Sequence, residues 1–339
     1  MSPLVLILLC LVFALTVGYG LLNGMRDAPN AIALPVRSRA LTPGAALLLA
    51  AVMNLGGGIL SGGLLTAVWQ ELPPAIPSGG PGLLMAVVAL AVAIAWGLFA
   101  WQRGLPVSMT HALIAGLVGA GVALTVTGDA SFEGIWSPGL VTAMLAGLLL
   151  TPLLGCFLSW ILVTPATWVA RDAAPGTVNH TARMGLSITG AANALGHGVQ
   201  SGQRMTFMVA IALTAIGRPD AMGWWVPVAA GLALAIGTLF GGWRVAHTLT
   251  EKLVHLDPLR SAVASTVSAG LLFVGSFALH LPLSSTHAAA ATILGAGQNQ
   301  RYTAVRWQQV QRVVGYWLVT LVAPAAVALI LAAAASPLF

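Results

Sequence analysis

Pro106-Val107-Ser108-Met109-Thr110-His111 returns 176 residues further on as Pro282-Leu283-Ser284-Ser285-Thr286-His287, in a chain of 339 residues. The same offset carries Gly119-Ala120-Gly121 onto Gly295-Ala296-Gly297. In each copy Pro fixes φ, a serine follows as a good N-cap, and an apolar helix is expected to start. The first N–H groups of a helix have no internal partner, and the aligned peptide dipoles place about half a positive charge there. Two such starts facing one cavity form a site for a dehydrated oxyanion, with the hydroxyls of Ser108, Thr110, Ser284, Ser285 and Thr286 as added donors. A single Ser-x-Thr in a membrane helix more often serves as glue between helices. Duplication at matched positions separates this pair from that reading. His111 and His287 close the motifs and read as packing groups, with proton relay the alternative for a side chain of pKa about 6.5.

Both motifs lie in a strongly apolar chain. Hydrophobic residues make up 58% and charged residues 6%, where a soluble domain carries roughly 25% charged residues; mean hydropathy is +0.93. No Asp, Glu, Lys or Arg falls within residues 1–25, 40–70, 72–102, 104–128, 134–170, 221–243, 261–300 or 313–339. Each stretch exceeds the ~20 residues of a spanning helix. None shows the alternation a barrel requires, so helices that satisfy their own backbone are expected. The class is an all-α, multi-pass integral membrane protein of the plasma (inner) membrane. The first apolar run has no basic residue before it and no small-x-small cleavage site, and reads as a retained helix. The net charge of +6, from 14 Lys plus Arg against 8 Asp plus Glu, gathers in loops at 37–39, 171–183, 244–260 and 301–312. Membrane proteins distribute basic residues in this way, so nothing calls for nucleic acid. Sidedness stays open, because both halves carry basic clusters. Cys10 and Cys156 sit in apolar runs as small core residues.

The repeat divides the chain into residues 1–165, a polar connector at 166–180, and residues 181–339. Asn23-Gly24 matches His197-Gly198 at an offset of 174, and Trp136 with Pro152 answers Trp307 with Pro324. Two inverted-topology repeats are expected, with discontinuous or re-entrant helices meeting at an anion site near the membrane midplane. Expected interruptions are Gly56–Gly58, Gly62-Gly63, Gly79–Gly82, the two Pro-x-Ser sites and two polar stretches. The first stretch is Asn23–Ala31, where Arg26 and Asp27 follow an apolar helix and Pro29 stands at a helix-start position. It reads as a break inside the membrane, where ionisable residues are functional by default; the alternative is a helix end with snorkelling charges. The second, Asn193–Arg204, separates apolar segments 184–192 and 205–217, each too short to span. It reads as the break of a discontinuous helix, with a surface loop as the alternative.

Together these motifs resemble the inorganic phosphate transporter (PiT) family, whose members carry two signatures like Gly-x-Asn-Asp-x-x-Asn-Ala and two like Pro-Val-Ser-Thr-Thr-His. Asn23–Ala31, followed by Ser38-Arg39-Ala40-Leu41-Thr42-Pro43, is similar to the first signature, and His197–Arg204 to the second. Leu256-Asp257-Pro258 stands where the family has a similar pre-helix segment. The resemblance covers essentially the whole chain. It implies an all-helical fold of inverted repeats, cation-coupled phosphate uptake, and compatibility with a homodimer. The chain departs from the pattern at three points. Arg26 replaces the Asn or His before the first Asp, Gln200-Ser201 replaces Asn-Asp, and Arg204 replaces Lys. Asp27 is the one carboxylate left of the pair.

The reading that follows places phosphate between the two Pro-x-Ser helix starts, with Asp27, Asn30, Gln200, Ser201 and Gln203 around it. A carboxylate only accepts hydrogen bonds, so Asp27 favours a protonated oxyanion over sulfate. Arg26 either neutralises Asp27 or contacts the anion through its fork of donors, with Arg204 in a similar position; the alternative turns Arg26 toward an aqueous vestibule. A fixed guanidinium in place of a cation favours H⁺ over Na⁺ as coupling ion, with Asn23, Asp27 and His197 as candidates to hold it. No metal site or other cofactor is expected. Three rivals remain: transport of sulfate or another tetrahedral oxyanion, a passive channel, and a membrane enzyme acting on phosphorylated lipid. The last lacks a paired-acid or His-Glu-x-x-His motif.

Overall fold

The computed structural model describes residues 1–71, 76–129, 138–279, 283–298, 300 and 305–339, with the side chains of all of these but 64–71, 138–146 and 148. Pro282 and Trp136 lie outside the described residues. The chain forms α1 (Pro3–Arg37), α2 (Pro43–Glu71), α3 (Gly80–Gln102), α4 (Met109–Val126), α5 (Pro138–Ala170) and α6 (Pro175–Ala215). There follow α7 (Trp225–Leu239), α8 (Trp243–His247), α9 (Pro258–Phe273), α10 (Ser285–Gln298) and α11 (Trp307–Ala335). π-helical turns extend α8 over Thr248–Leu253 and α9 over Val274–Ala278. Among the described residues, seven helices are long and apolar enough to cross a membrane, or eight if α7 and α8, bent by 64°, form one span.

The packing partners exchange between the halves. Helix α1 lies on α3, α6 and α7, while α6 lies on α9, α1 and α2. Helix α4 packs on α3 and α11 as α10 packs on α9 and α5. Glycines at matched positions set close approaches between helix backbones. A Cβ on Gly24 of α1 would stand 2.2 Å from the Leu234 carbonyl oxygen, and one on Gly198 of α6 would stand 2.7 Å from that of Asn54. From the opposite side, Gly237 meets the Leu21 carbonyl and Gly57 that of Leu195, at 2.0 and 2.3 Å by the same construction. These backbones are in direct contact, as small residues at membrane helix crossings permit.

Several expected interruptions are absent, and in α1 and α6 close packing replaces what the break would supply. Helix α1 runs through Asn23–Ala31 without ending. Pro29 lacks the N–H that would bond the Met25 carbonyl, and Gly242 packs against that point, where a Cβ would meet the Met25 oxygen at 2.6 Å. Helix α6 likewise continues through Asn193–Arg204, so the two short segments are one helix of 41 residues. Its glycines cost roughly 1 kcal/mol each relative to Ala in a helix interior, but they seat α6 on α2. Helix α2 passes through Gly56–Gly58 and Gly62-Gly63, whereas Gly79 does stand at the start of α3. A break falls instead at Phe240–Gly242, between α7 and α8, where Gly241 takes φ +64°.

Helix α6 is the longest helix, yet it is not among the seven apolar spans. It buries Asn193, His197, Gln200 and Ser201 inside the bundle. Helix α10, with 14 residues, rises only about 21 Å and is too short for a hydrocarbon core of about 30 Å.

Candidate functional site

Both Pro-x-Ser segments start helices. Ser108 Oγ accepts the His111 N–H at 3.2 Å, and Ser284 Oγ accepts the His287 N–H at 3.2 Å. The two starts meet inside the bundle, where the rings of His111 and His287 stand 4.6 Å apart, centroid to centroid.

Helix α1 supplies one wall. Asn30 Nδ2 donates to Ser285 Oγ at 3.3 Å and to Thr286 Oγ1 at 3.1 Å. Arg26 is 0% exposed; its Nη2 donates to the Val107 carbonyl and its Nη1 lies 3.6 Å from Asp27 Oδ1. The guanidinium is therefore enclosed between the carboxylate and the start of α4, not turned to an aqueous vestibule.

Helix α6 supplies the facing wall. Ser201 Oγ accepts from Asn23 Nδ2 at 2.9 Å and from Arg204 Nη2 at 3.1 Å. With both lone pairs used, its proton goes to His197 Nε2 at 3.1 Å. His197 then carries its own proton on Nδ1 and donates to Asn54 Oδ1 at 2.8 Å. Asn54 Nδ2 donates to Thr238 Oγ1 at 2.9 Å, and Thr238 donates to the Leu234 carbonyl at 2.8 Å. This ordering assigns the neutral Nδ1–H tautomer to His197. Its Nε2, 3.9 Å from Asp27 Oδ2, has its lone pair engaged by Ser201, and the contact is not an ion pair.

Arg204 also reaches the Leu283 carbonyl, at 3.4 Å. Gln200 joins Arg204 to the π-helical turn after α9: its Oε1 accepts from Arg204 Nη1 at 3.4 Å and its Nε2 donates to Ser276 at 2.8 Å. Thr110 is buried on the first turn of α4. Asp27, Ser201, Ser284, Ser285 and Thr286 are buried, whereas Asn30, Gln203 and Arg204 keep partial exposure.

The polar atoms left over have a pattern. Arg26 Nε and Nη1, Arg204 Nε and Gln203 Nε2 are buried donors without a hydrogen-bond partner. Asp27 Oδ1, Asn23 Oδ1 and Asn30 Oδ1 are acceptors in the same condition. Each such group costs on the order of 1–3 kcal/mol, and more when charged. Two guanidinium charges against one carboxylate leave the cluster one unit positive. An anion with several acceptor oxygens and one hydroxyl satisfies both sets.

Asn54, Thr238 and Ser276 were not singled out by the sequence reading. Asn54, an amide inside an apolar run, was the available signal. Thr238 and Ser276 gave none, because isolated hydroxyls are ordinary in membrane helices.

Fold and site define a polytopic membrane protein of the transport class, built around a buried polar centre. The chain belongs to the Phosphate transporter family (PHO4), whose model matches residues 23–328. Over 329 residues it is 33% identical to a protein named "Probable low-affinity inorganic phosphate transporter" from Rhizobium meliloti (strain 1021), covering 92% of each chain. Over 323 residues it is 30% identical to one of the same name from Bacillus subtilis (strain 168), covering 94% of each chain. Among solved structures it resembles "The sodium-dependent phosphate transporter" with a TM-score of 0.76 over 98% of this chain and 100% of that one. At 18% identity that likeness establishes the fold. The family is one of transporters, so the lipid-phosphate enzyme is set aside.

Proposed function

We propose that this protein is a secondary active transporter of inorganic phosphate in the plasma membrane, coupled to H⁺ in preference to Na⁺. One observation carries the reading: donors of Arg26 and Arg204 and the Asp27 Oδ1 acceptor, none of them hydrogen-bonded, gather beside two capped helix starts. Phosphate oxygens take the Arg26, Arg204 and Gln203 N–H groups and the amides and hydroxyls at Ser108, Ser284, Ser285 and Thr286. Asn30 and Ser201 hold these groups in place. A P–OH donates to Asp27 Oδ1, which sulfate at neutral pH has no proton to do. The net charge of one unit suits a monoanion without a bound metal cation. Arg26 thus stands in for a cation, and a proton becomes the coupling ion.

The exchange of packing partners, α1 with α6, α2 with α7, α3 with α9, α4 with α10 and α5 with α11, supports two inverted-topology repeats divided near residues 166–180. The short α10 and the bent α7–α8 pair support re-entrant elements that bring helix starts toward the midplane. Access alternates as one set of elements rocks against the other around the site.

The test is uptake of labelled phosphate by proteoliposomes under separately imposed gradients. An inward H⁺ gradient without Na⁺ is expected to drive accumulation, and excess sulfate is expected not to compete. Accumulation driven only by Na⁺ overturns the coupling assignment. Equal competition by sulfate overturns the choice of anion, and equilibration without accumulation restores the passive channel.

A further inference from the structure

His111 and His287 are buried, and nothing in the transport scheme so far uses them. Each occupies the third position after its N-cap serine, and their rings are tilted 49° to one another at a centroid distance of 4.6 Å. His287 also packs on Trp317, at 4.1 Å between ring centroids. All four ring nitrogens are buried without a hydrogen-bond partner among the described residues. Ordinary packing histidines spend at least their N–H on a carbonyl or hydroxyl, and two adjacent rings that spend nothing form an incomplete site.

We propose that His111 and His287 together hold the coupling proton, taking it up when phosphate occupies the helix starts in front of them. The inference rests on the phosphate-transport reading. In the empty site an imidazolium is opposed first by burial and then by the positive ends of α4 and α10. Arg204 acts on His111, and Arg26 acts on His287. Asp27, paired with Arg26, is the one carboxylate nearby among the described residues. The helices packed around the pair add little charge. Helices α3 and α5 contain no charged residue, α9 and α11 carry Arg260 and Arg312 near their starts, and α11 presents the neutral Trp317 ring.

An anion at the helix starts shifts this balance toward the charged form. One negative charge on the order of 6 Å away, at an effective dielectric near 20, raises proton affinity roughly a hundredfold. The proton comes from water on the side where phosphate enters and adds to a ring nitrogen lone pair; no other bond changes. When phosphate leaves, the opposing charges return the proton to water on the far side. Ring contact makes a second proton unfavourable, so one proton accompanies each phosphate. Trp317 stabilises the charge on His287 through its face.

The test uses the full-length protein, ¹⁵N-labelled at histidine, in nanodiscs titrated from neutral to acid pH with and without inorganic phosphate. Phosphate is expected to bring in an imidazolium signal at roughly a hundredfold lower proton concentration, and that signal is expected to be missing from His111→Gln/His287→Gln. In proteoliposomes that variant is expected to keep phosphate–phosphate exchange within about threefold and to lose at least tenfold in accumulation driven by an H⁺ gradient. If the unaltered protein binds phosphate with no new imidazolium signal, the proposal is overturned. The same holds if the double variant still takes up one proton with each accumulated phosphate. If the double variant does not fold, the spectrum of the unaltered protein decides, with each signal assigned through a single His→Gln change. Failure of the unaltered protein to bind phosphate at all refutes the transport reading instead.

Discussion

Arg26 and Arg204 each grip the backbone just ahead of a capping serine. Arg26 donates to the carbonyl of Val107 and Arg204 to that of Leu283, residues at matched places in the two motifs. They reach these carbonyls from different helices, α1 and α6, and from positions that the repeat does not equate. Two fixed cations therefore flank one carboxylate, and the electrostatics of transport follow from that excess.

Removing the excess should change the ion that drives uptake. Arg26→Asn combined with Ser201→Asp leaves two carboxylates and one guanidinium, and phosphate uptake is expected to become dependent on Na⁺. Uptake that is still indifferent to Na⁺ in this variant, measured in proteoliposomes, contradicts the role given to Arg26. Arg26→Ala alone leaves Asp27 buried beside no guanidinium of its own helix. A loss of about 3–5 kcal/mol is expected from breaking such a buried pair, read as a fall in thermal midpoint.

Asp27→Asn replaces an acceptor-only group with one that also donates. The variant is expected to lose most phosphate accumulation and to become sensitive to sulfate, which now meets a donor instead of a carboxylate. Competition between labelled phosphate and sulfate checks this. Sulfate rejection that survives the change rules out Asp27 as the group that selects the anion.

Ser108→Ala and Ser284→Ala each remove an N-cap, and each is expected to cost about 1 kcal/mol of stability. Phosphate affinity should fall by roughly tenfold in either, because an uncapped first turn no longer holds its N–H groups on the anion. A large effect in one and none in the other would mean that only one helix start contacts phosphate.

Gly237→Leu and Gly57→Leu test the two crossings. The first added atom meets a carbonyl oxygen at 2.0 Å in one case and 2.3 Å in the other, so helices must separate. Overpacking typically costs about 1–3 kcal/mol, and these backbone clashes should lie at or above the upper end. The same substitution at Gly63, with nothing within 4 Å of its Cβ, is expected to be neutral in the same melting assay.

The membrane class, the helical state and the two helix starts could all be read directly from residue types. Apolar runs of sufficient length, Pro before a capping Ser, and an offset of 176 residues need no knowledge of neighbours. The breaks expected in α1 and α6 did not form. Local signals such as Pro29 or Gly196-His197-Gly198 record a weakened helix. Gly242 packed on the Met25 carbonyl, and α2 packed on Gly198, are contacts made by distant segments, and they compensate for the weakness. The real bend at Phe240–Gly242 carried a glycine pair no more conspicuous than the one at Gly62-Gly63, which stays helical on α2.

Composition and local order thus settled which segments are helical, where α4 and α10 begin, and which side chains carry charge into the membrane. Those properties depend on neighbours a few residues away along the chain. The third dimension decided that Arg26 grips the Val107 carbonyl at the start of α4, that Asn54 orders His197, and that His111 touches His287. Each of these pairs joins different helices, and only the angle and depth at which those helices cross bring the partners within reach.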